Sequence, residues 1–169
     1  STPDHSIGVV LDEWGTWWDE ETDSGQGLLC QQNTLRDAVS AGVFLNLFNR
    51  NCDRVKMANL AQIVNVLQAL ILTDGARMIV TPTYHVFEMY KTHQGATMLP
   101  CELTAGSCAA YGQQIPTLDV SASRDQAGLI HISVCNLDPR NPAVLECTLE
   151  GVEARSVTGR VLAGAAMNA

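Results

Sequence analysis

The stretch IGVVLDEWGTWWDEE, residues 7–21, carries the clearest fold signal in the first half of this chain. Its first eight residues are an apolar run of strand length that ends in acids, which predicts a strand buried on both faces. In an extended chain, one side of this strand would carry three aliphatic side chains followed by Glu13; the three are Ile7, Val9 and Leu11. This pattern is typical of a strand that lines the interior of a (β/α)8 barrel, with Glu13 emerging at the carboxyl-terminal mouth where catalytic residues lie.

The acids and tryptophans of this stretch each allow two interpretations. Asp12 and Glu13 could simply solvate the end of a strand. Trp14, Trp17 and Trp18 could form the wall of a sugar site or fill a core, because aromatic side chains are used for both. On the residues alone, both interpretations stay open.

Helical patterns alternate with strand patterns up to about residue 97. Residues 34–50 predict a helix that begins with a weak capping box of Thr34 and Asp37 and carries apolar residues every fourth position. A short strand is predicted within residues 55–60, and a second helix within residues 78–93. Strand–helix alternation predicts a parallel sheet, so residues 1–97 are expected to be the last strands and helices of a (β/α)8 barrel.

Residues 98–169 show a different pattern, which predicts part of a β-sandwich. Antiparallel strands are expected at residues 118–125, 128–137, 143–151 and 156–164. Ile130, Ile132 and Val134 alternate with His131 and Ser133, which predicts a sheet whose aliphatic face is buried. The fold class is therefore α/β plus all-β. Four strands make only one sheet of a sandwich and two β/α units cannot close a barrel, so we expect a fragment of a larger enzyme.

Composition excludes several classes of partner. A net charge of −8 with ten scattered Lys and Arg residues argues against nucleic acid and against an anionic membrane. No apolar run reaches the roughly 18 residues of a membrane span, and no signal peptide is visible, so a cytoplasmic location is expected. The six cysteines lack metal-site spacing, which predicts free, mostly buried thiols and no metal.

Five stretches together resemble the C-terminal part of family 51 α-L-arabinofuranosidases, in order and over nearly the whole chain. They are IGVVLDEWGTWWD, QQNTLRDAV, FNRNCDRVKMANLAQIVNVLQALILT, TPTYHVFEMYKTHQGAT and SASRDQAGLIHISVCNLDP. The resemblance implies that Glu13 is the catalytic nucleophile, that Gln62 hydrogen-bonds the arabinose, and that Trp17 lies at the sugar subsite. It also implies a C-terminal β-sandwich of jelly-roll type, an arabinofuranosyl-containing oligo- or polysaccharide as substrate, no cofactor, and a homo-oligomeric intact enzyme.

One part of the family pattern is absent from this sequence. Family members carry the general acid/base glutamate in an Asn-Glu dipeptide, and the chain contains no Asn-Glu. A retaining glycosidase needs both carboxyl groups, about 5 Å apart. Asp19, Glu20 and Glu21 lie on a polar loop and are not expected to supply the acid, so the isolated chain is predicted to be inactive.

Two further functions remain as alternatives. The first is a non-catalytic carbohydrate-binding or structural module. All three tryptophans lie within residues 14–18 and none in the β-rich half, which favours the enzyme. The second is a family member that acts on β-xylosides or β-glucans, which the residues leave open.

Overall fold

The computed structural model describes residues 7–19, 29–110 and 112–169. Within these residues the chain forms nine strands, two α-helices and one 3-10 helix. The elements are β1 (Val9–Trp14), α1 (Leu35–Arg50), β2 (Val55–Leu60), β3 (Ile71–Asp74), β4 (Arg77–Val80), α2 (Pro82–Tyr90), the 3-10 helix (Lys91–His93), β5 (Thr97–Leu99), β6 (Ser107–Ala110), β7 (Gln113–Pro116), β8 (Leu118–Arg124) and β9 (Ile130–Asn136).

Strands β1 and β2 pair in parallel, as the β/α alternation predicts. Their register shifts between Leu11, which pairs with Ala58, and Trp14, which pairs with Leu60. Two residues of β1 therefore lie opposite one residue of β2, which is the definition of a β-bulge.

The structure corrects the prediction that Val9, Leu11 and Glu13 face a barrel interior together. Val9 and Leu11 line an apolar groove together with Leu47 and Phe48 of α1, so they face the helices rather than a barrel interior. Trp14 also packs against the helices, although strict alternation would place its side chain on the other face of the strand from that of Leu11. The extra residue of the bulge shifts the alternation by one position.

Both predicted helices are present, and local hydrogen bonds fix where they begin. Thr34 is the N-cap of α1, and its N–H donates to Asp37 Oδ2 at 2.8 Å, which is the acidic half of a capping box. Thr81 is the N-cap of α2, and Pro82 occupies the first helical turn, where its missing N–H costs nothing. Gly95, just beyond the 3-10 helix, has φ +69°, a left-handed conformation that favours glycine.

The core lies between β1 and the two helices. Trp14 is 8% exposed and packs with Ala38, Ala41, Val86 and Tyr90. Three phenylalanine rings surround its indole at centroid distances of 5.2–6.0 Å; they are Phe44, Phe48 and Phe87. The buried indole and the three rings around it hold the end of β1 against the two helices.

The C-terminal sheet has the strand order β5-β8-β9 and is antiparallel, as predicted for β8 and β9. Its facing is the reverse of the prediction: Ile132 and Val134 are 42% and 38% exposed, whereas polar residues face the helices. Ser121 Oγ donates to Asn46 Oδ1 of α1 at 2.7 Å, and Asn49 Nδ2 donates to the same hydroxyl at 3.1 Å. Hydrogen bonding to α1 satisfies the polar face, so the aliphatic face is left outward.

The strands predicted at residues 143–151 and 156–164 are absent from the structure, which has no regular elements there. Val144, Val157 and Val161 are 88–91% exposed, so their alternation finds no opposing sheet among the described residues. The end of the chain is nevertheless anchored, because Leu35 N donates to Ala169 O at 2.9 Å at the start of α1. Hairpins β3–β4 and β6–β7 are short elements that the sequence patterns did not predict.

All six cysteines are free thiols, as expected. None is fully buried, however, which corrects the expectation of mostly buried thiols: Cys52, Cys101 and Cys147 are exposed, and the other three are intermediate.

Candidate active site

The carboxyl-terminal ends of β1 and β2 lie side by side. Ala61 N donates to Trp14 O at 2.9 Å, directly after the last paired residues of the two strands. Glu13 precedes Trp14, and Gln62 follows Ala61. The structure therefore brings Glu13 and Gln62 to the same edge of the parallel pair, although they are 49 positions apart in the sequence (62 minus 13).

Glu13 lies in the bulge and is exposed. The bulge lies between Leu11 and Trp14, which both face the helices, whereas the two bulged residues, Asp12 and Glu13, are exposed. Gln62 is also exposed and follows Ala61 through a cis peptide bond. A carboxylate and an amide that share one open edge can present a negative charge and a hydrogen-bonding group to the same ligand.

The three tryptophans have three different environments. Trp14 is core, as described above. Trp18 is 38% exposed; its Nε1 donates to Asp37 Oδ1 at 2.7 Å, and the Arg36 guanidinium lies 3.8 Å from its ring centroid. Trp17 is 67% exposed, which leaves its ring faces open. Of the three, Trp17 is the side chain that can offer an aromatic face to a sugar.

The loop that carries Trp17 rests on buried polar side chains. Gln68, which is 0% exposed, accepts a hydrogen bond from Thr16 N at 2.8 Å through Oε1. Its Nε2 donates to Asp37 O at 2.8 Å and to Thr83 Oγ1 at 3.2 Å. Gly15 precedes this loop with φ +144°, and a Cβ there would approach Ala61 O at 3.3 Å, so glycine permits the close contact between the two strand ends.

Sequence reasoning missed two members of this network and part of the role of a third. Gln31 and Gln68, which both hydrogen-bond Thr16, are 7% and 0% exposed, yet nothing in the hydrophobic periodicity marks them. Asp37 was predicted only as a helix cap, and its second oxygen serves the loop. Glutamine is seldom buried without hydrogen-bond partners. A glutamine that interrupts an apolar run, as Gln68 does in VNVLQALIL, is therefore the sequence signal that could have predicted a buried polar contact.

Of the three carboxylates considered as a second acid, the structure describes one. Asp19 is exposed, while Glu20 and Glu21 lie outside the described residues. Over residues 7–19, 29–110 and 112–169, no cluster of three His, Cys, Asp or Glu side chains could hold a metal ion. None of the helices in this part of the chain is long and apolar enough to cross a membrane.

A separate polar cluster joins the 3-10 helix to the C-terminal sheet. The two ring nitrogens of His93 lie 2.7 Å from Ser123 Oγ and 2.8 Å from Ser133 Oγ. Burial, and secondarily the nearby His131, lowers the pKa of His93 below its ordinary value. His131 in turn binds Asp125 at 2.8 Å, and this contact lowers the pKa of that carboxyl group.

Comparison with known proteins matches residues 12–169 to the family model described as the α-L-arabinofuranosidase C-terminal domain. The intracellular exo-α-L-arabinofuranosidase of Bacteroides ovatus is 47% identical over 160 residues, which cover 94% of this chain and 31% of that protein. The exo-α-(1→6)-L-arabinofuranosidase of Bifidobacterium longum is 30% identical over 78% of this chain and 28% of its own length. The chain thus spans about three tenths of these relatives.

The solved structures agree with this match. The family 51 arabinofuranosidase of Xanthomonas axonopodis pv. citri superposes with a TM-score of 0.76 at 46% identity, over 79% of this chain and 27% of that one. An arabinose complex of the Thermotoga maritima α-L-arabinofuranosidase gives a TM-score of 0.62 at 25% identity, over 78% and 29% of the two chains. The chain belongs to the glycoside hydrolase family 51 α-L-arabinofuranosidases, of which it comprises the C-terminal part.

Proposed function

We propose that the protein containing this chain is a retaining α-L-arabinofuranosidase with Glu13 as its nucleophile. The observation that carries the proposal is the shared edge of the parallel β1–β2 pair, where Glu13 and Gln62 lie together. Ligand-binding and catalytic groups of parallel α/β folds gather at the carboxyl ends of the strands. The family match supplies the reaction type.

The facing of β1 supports a barrel. The helices pack on the side of Trp14, and in a (β/α)8 barrel the helices form the outer ring. The opposite face, which carries Glu13, would then be the interior. Residues 1–97 are the end of the catalytic barrel in this proposal, and residues 98–169 belong to a C-terminal jelly-roll β-sandwich whose second sheet would cover the outward aliphatic face of β8–β9.

The chemistry is a double displacement. A Glu13 carboxylate oxygen attacks the anomeric carbon of a terminal α-L-arabinofuranosyl unit, while the general acid protonates the departing glycosidic oxygen. Water then attacks the covalent glycosyl-enzyme, the same residue accepts the water proton, and Glu13 is released as a carboxylate. Gln62 hydrogen-bonds the sugar in the active site, and Trp17 stacks on it. The general acid/base is a glutamate outside this chain, so the 169 residues alone would not turn over substrate.

The names of the relatives support the choice of substrate. Both curated relatives described above are named as exo-acting arabinofuranosidases, which favours terminal arabinofuranosyl units of arabinan, arabinoxylan or arabino-oligosaccharides over β-xylosides or β-glucans. The Bacteroides ovatus relative is named as intracellular, and we propose the same compartment here. A homo-oligomeric intact enzyme remains part of the proposal.

A panel of nitrophenyl glycosides tests the proposed activity. The intact enzyme should hydrolyse the α-L-arabinofuranoside, and its first sugar product should retain the anomeric configuration, which proton NMR can follow. The matched β-D-xyloside should react far more slowly. Preference for the xyloside, or an inverted first product, would contradict the proposal; clear turnover by residues 1–169 alone would contradict the location of the acid.

A further inference from the structure

The backbone on both sides of Trp17 is held by two buried side chains, each of which bridges Thr16 to Trp18. The Gln31 side chain accepts a hydrogen bond from Trp18 N through Oε1 at 3.0 Å, and its Nε2 donates to Thr16 O at 3.2 Å. One amide group therefore pairs with the peptide units before and after Trp17, in the way that a neighbouring strand would. Gln31 is 7% exposed, so water competes little for these bonds.

Asp37 forms the second bridge. Its Oδ1 accepts from Thr16 Oγ1 and from Trp18 Nε1, both at 2.7 Å. The carboxylate is 0% exposed, and hydrogen bonds to an ionised acceptor are about twice as strong as those between neutral groups. Its other oxygen caps α1, which ties the loop to a helix terminus.

Trp17 itself is free to meet a ligand. Its side chain is 67% exposed, while both neighbouring residues are fixed. An aromatic ring on an immobile backbone loses little conformational entropy when a ligand stacks on it. Glu13 depends less on these bridges, because the β1–β2 pairing and the burial of Trp14 hold its strand.

We propose that Gln31 and Asp37 are positioning residues of the arabinofuranosidase reaction, which together fix the Trp17 ring at the sugar subsite. The inference rests on the proposed function and deepens it, since it assigns substrate binding and not bond cleavage to this network. It follows that damage to either bridge should weaken sugar binding, while the rate of the chemical steps at Glu13 stays close to normal.

The test uses the intact enzyme and two bridge variants. Gln31→Met removes the amide while keeping a linear side chain, and Thr16→Val removes the hydroxyl that donates to Asp37 while keeping the β-branched shape. Each should raise KM for the nitrophenyl arabinofuranoside and the inhibition constant of arabinose by about tenfold, with kcat changed less than about twofold. Thr16→Ser, which keeps the hydroxyl, should restore near-normal KM.

Two controls separate positioning from general stability. Thr34→Val removes a hydroxyl that donates at 3.2 Å to the other oxygen of Asp37, so it should lower the melting temperature and leave KM unchanged. In a Trp17→Ala background, where KM is already raised, Gln31→Met should cause no further increase. This non-additivity is specific to a residue that acts through Trp17.

Additive effects of Gln31→Met and Trp17→Ala would overturn the inference, and so would unchanged KM in both bridge variants. A parallel fall of kcat and melting temperature in Thr34→Val and Thr16→Val would overturn it as well, because the network would then be merely structural. Lack of arabinofuranosidase activity in the unsubstituted enzyme would overturn the proposed function and this inference with it. If the unsubstituted enzyme is active and the effects of Gln31→Met and Trp17→Ala on KM are additive, the inference is overturned and the proposed function stands.

Discussion

Replacement of Asp37 by alanine is expected to destabilise the intact enzyme by more than the loss of an ordinary helix cap. The carboxylate is 0% exposed and serves two elements at once: Oδ2 accepts Thr34 N at 2.8 Å, and Oδ1 accepts Thr16 Oγ1 and Trp18 Nε1 at 2.7 Å. Asp37→Ala leaves Thr34 N and Trp18 Nε1 without this acceptor, and leaves Thr16 Oγ1 only Gln68 Oε1, at 3.1 Å. The helix start and the loop after β1 should therefore loosen together.

The magnitude follows from these contacts. Loss of an N-cap partner costs about 1 kcal/mol. Each of the two bonds to Oδ1 contributes about 1.5 kcal/mol, the low end for a charged acceptor, because Thr16 and Trp18 are partly exposed and can turn to water. The free energy of unfolding should thus fall by about 4 kcal/mol, which for a cooperative unit of about 150–250 residues corresponds to a melting temperature lower by about 10 °C.

Differential scanning calorimetry of the intact enzyme measures this shift against two matched variants. Asp37→Asn keeps one acceptor oxygen, so its free energy of unfolding should fall by roughly half as much as that of Asp37→Ala. Thr34→Val, which leaves the Oδ1 contacts in place, should lower the melting temperature by only about 2–3 °C. A melting temperature of Asp37→Ala within about 3 °C of the unsubstituted enzyme would refute the joint role of the carboxylate.

Two further predictions concern stability. Trp14→Ala should lower the free energy of unfolding by about 3–5 kcal/mol, since it empties the aromatic core. Trp14→Phe should lower it clearly less, because Trp14 Nε1 is buried without a hydrogen-bond partner among the described residues, so no hydrogen bond is lost. Thermal melts compare the two, and equal losses would contradict the core assignment. Burial lowers the pKa of His93 in the folded state, so its contribution to stability is present above the unfolded pKa of about 6.5 and is lost as pH falls below it. Melting temperatures measured from pH 8 to 5 should therefore fall less steeply in His93→Gln; identical slopes would contradict the lowered pKa of this half-buried imidazole.

The elements that the sequence predicted correctly have local causes. The helix beginning after Thr34 follows from a cap and a four-residue apolar spacing, and the strand before Trp14 follows from a continuous apolar run. The position of Glu13 at a strand end could likewise be predicted from the acids that close this run. Such signals depend on residues within one or two turns of each other.

The features that the sequence did not predict depend on distant partners. The bulge in β1 shifts the alternation by one residue, and only the pairing with β2 reveals it. Ile132 and Val134 face outward because Ser121 finds its partners on α1, a contact between segments about 70 residues apart. The exposed Val144 shows the same limit, because alternation predicts a strand only where another strand is available to pair with it.

The polar support of the loop that carries Trp17 could not be predicted for a related reason. A buried glutamine is stabilised by the backbone groups it contacts, and these come from a loop that hydrophobic periodicity does not describe. Gln31 lies only 15 positions from Thr16, yet its bond to that residue depends on how the chain returns to the end of β1.

Chemical rescue of Glu13→Ala in the intact enzyme tests whether Glu13 is the nucleophile. Without the carboxylate, hydrolysis of the nitrophenyl arabinofuranoside should fall to near zero, and added azide should restore turnover by attacking the anomeric carbon from the vacated side, giving an inverted glycosyl azide. Asp19→Asn, which changes a neighbouring exposed carboxylate, should keep normal activity and form no azide product. Normal hydrolysis by Glu13→Ala would show that Glu13 is not the nucleophile.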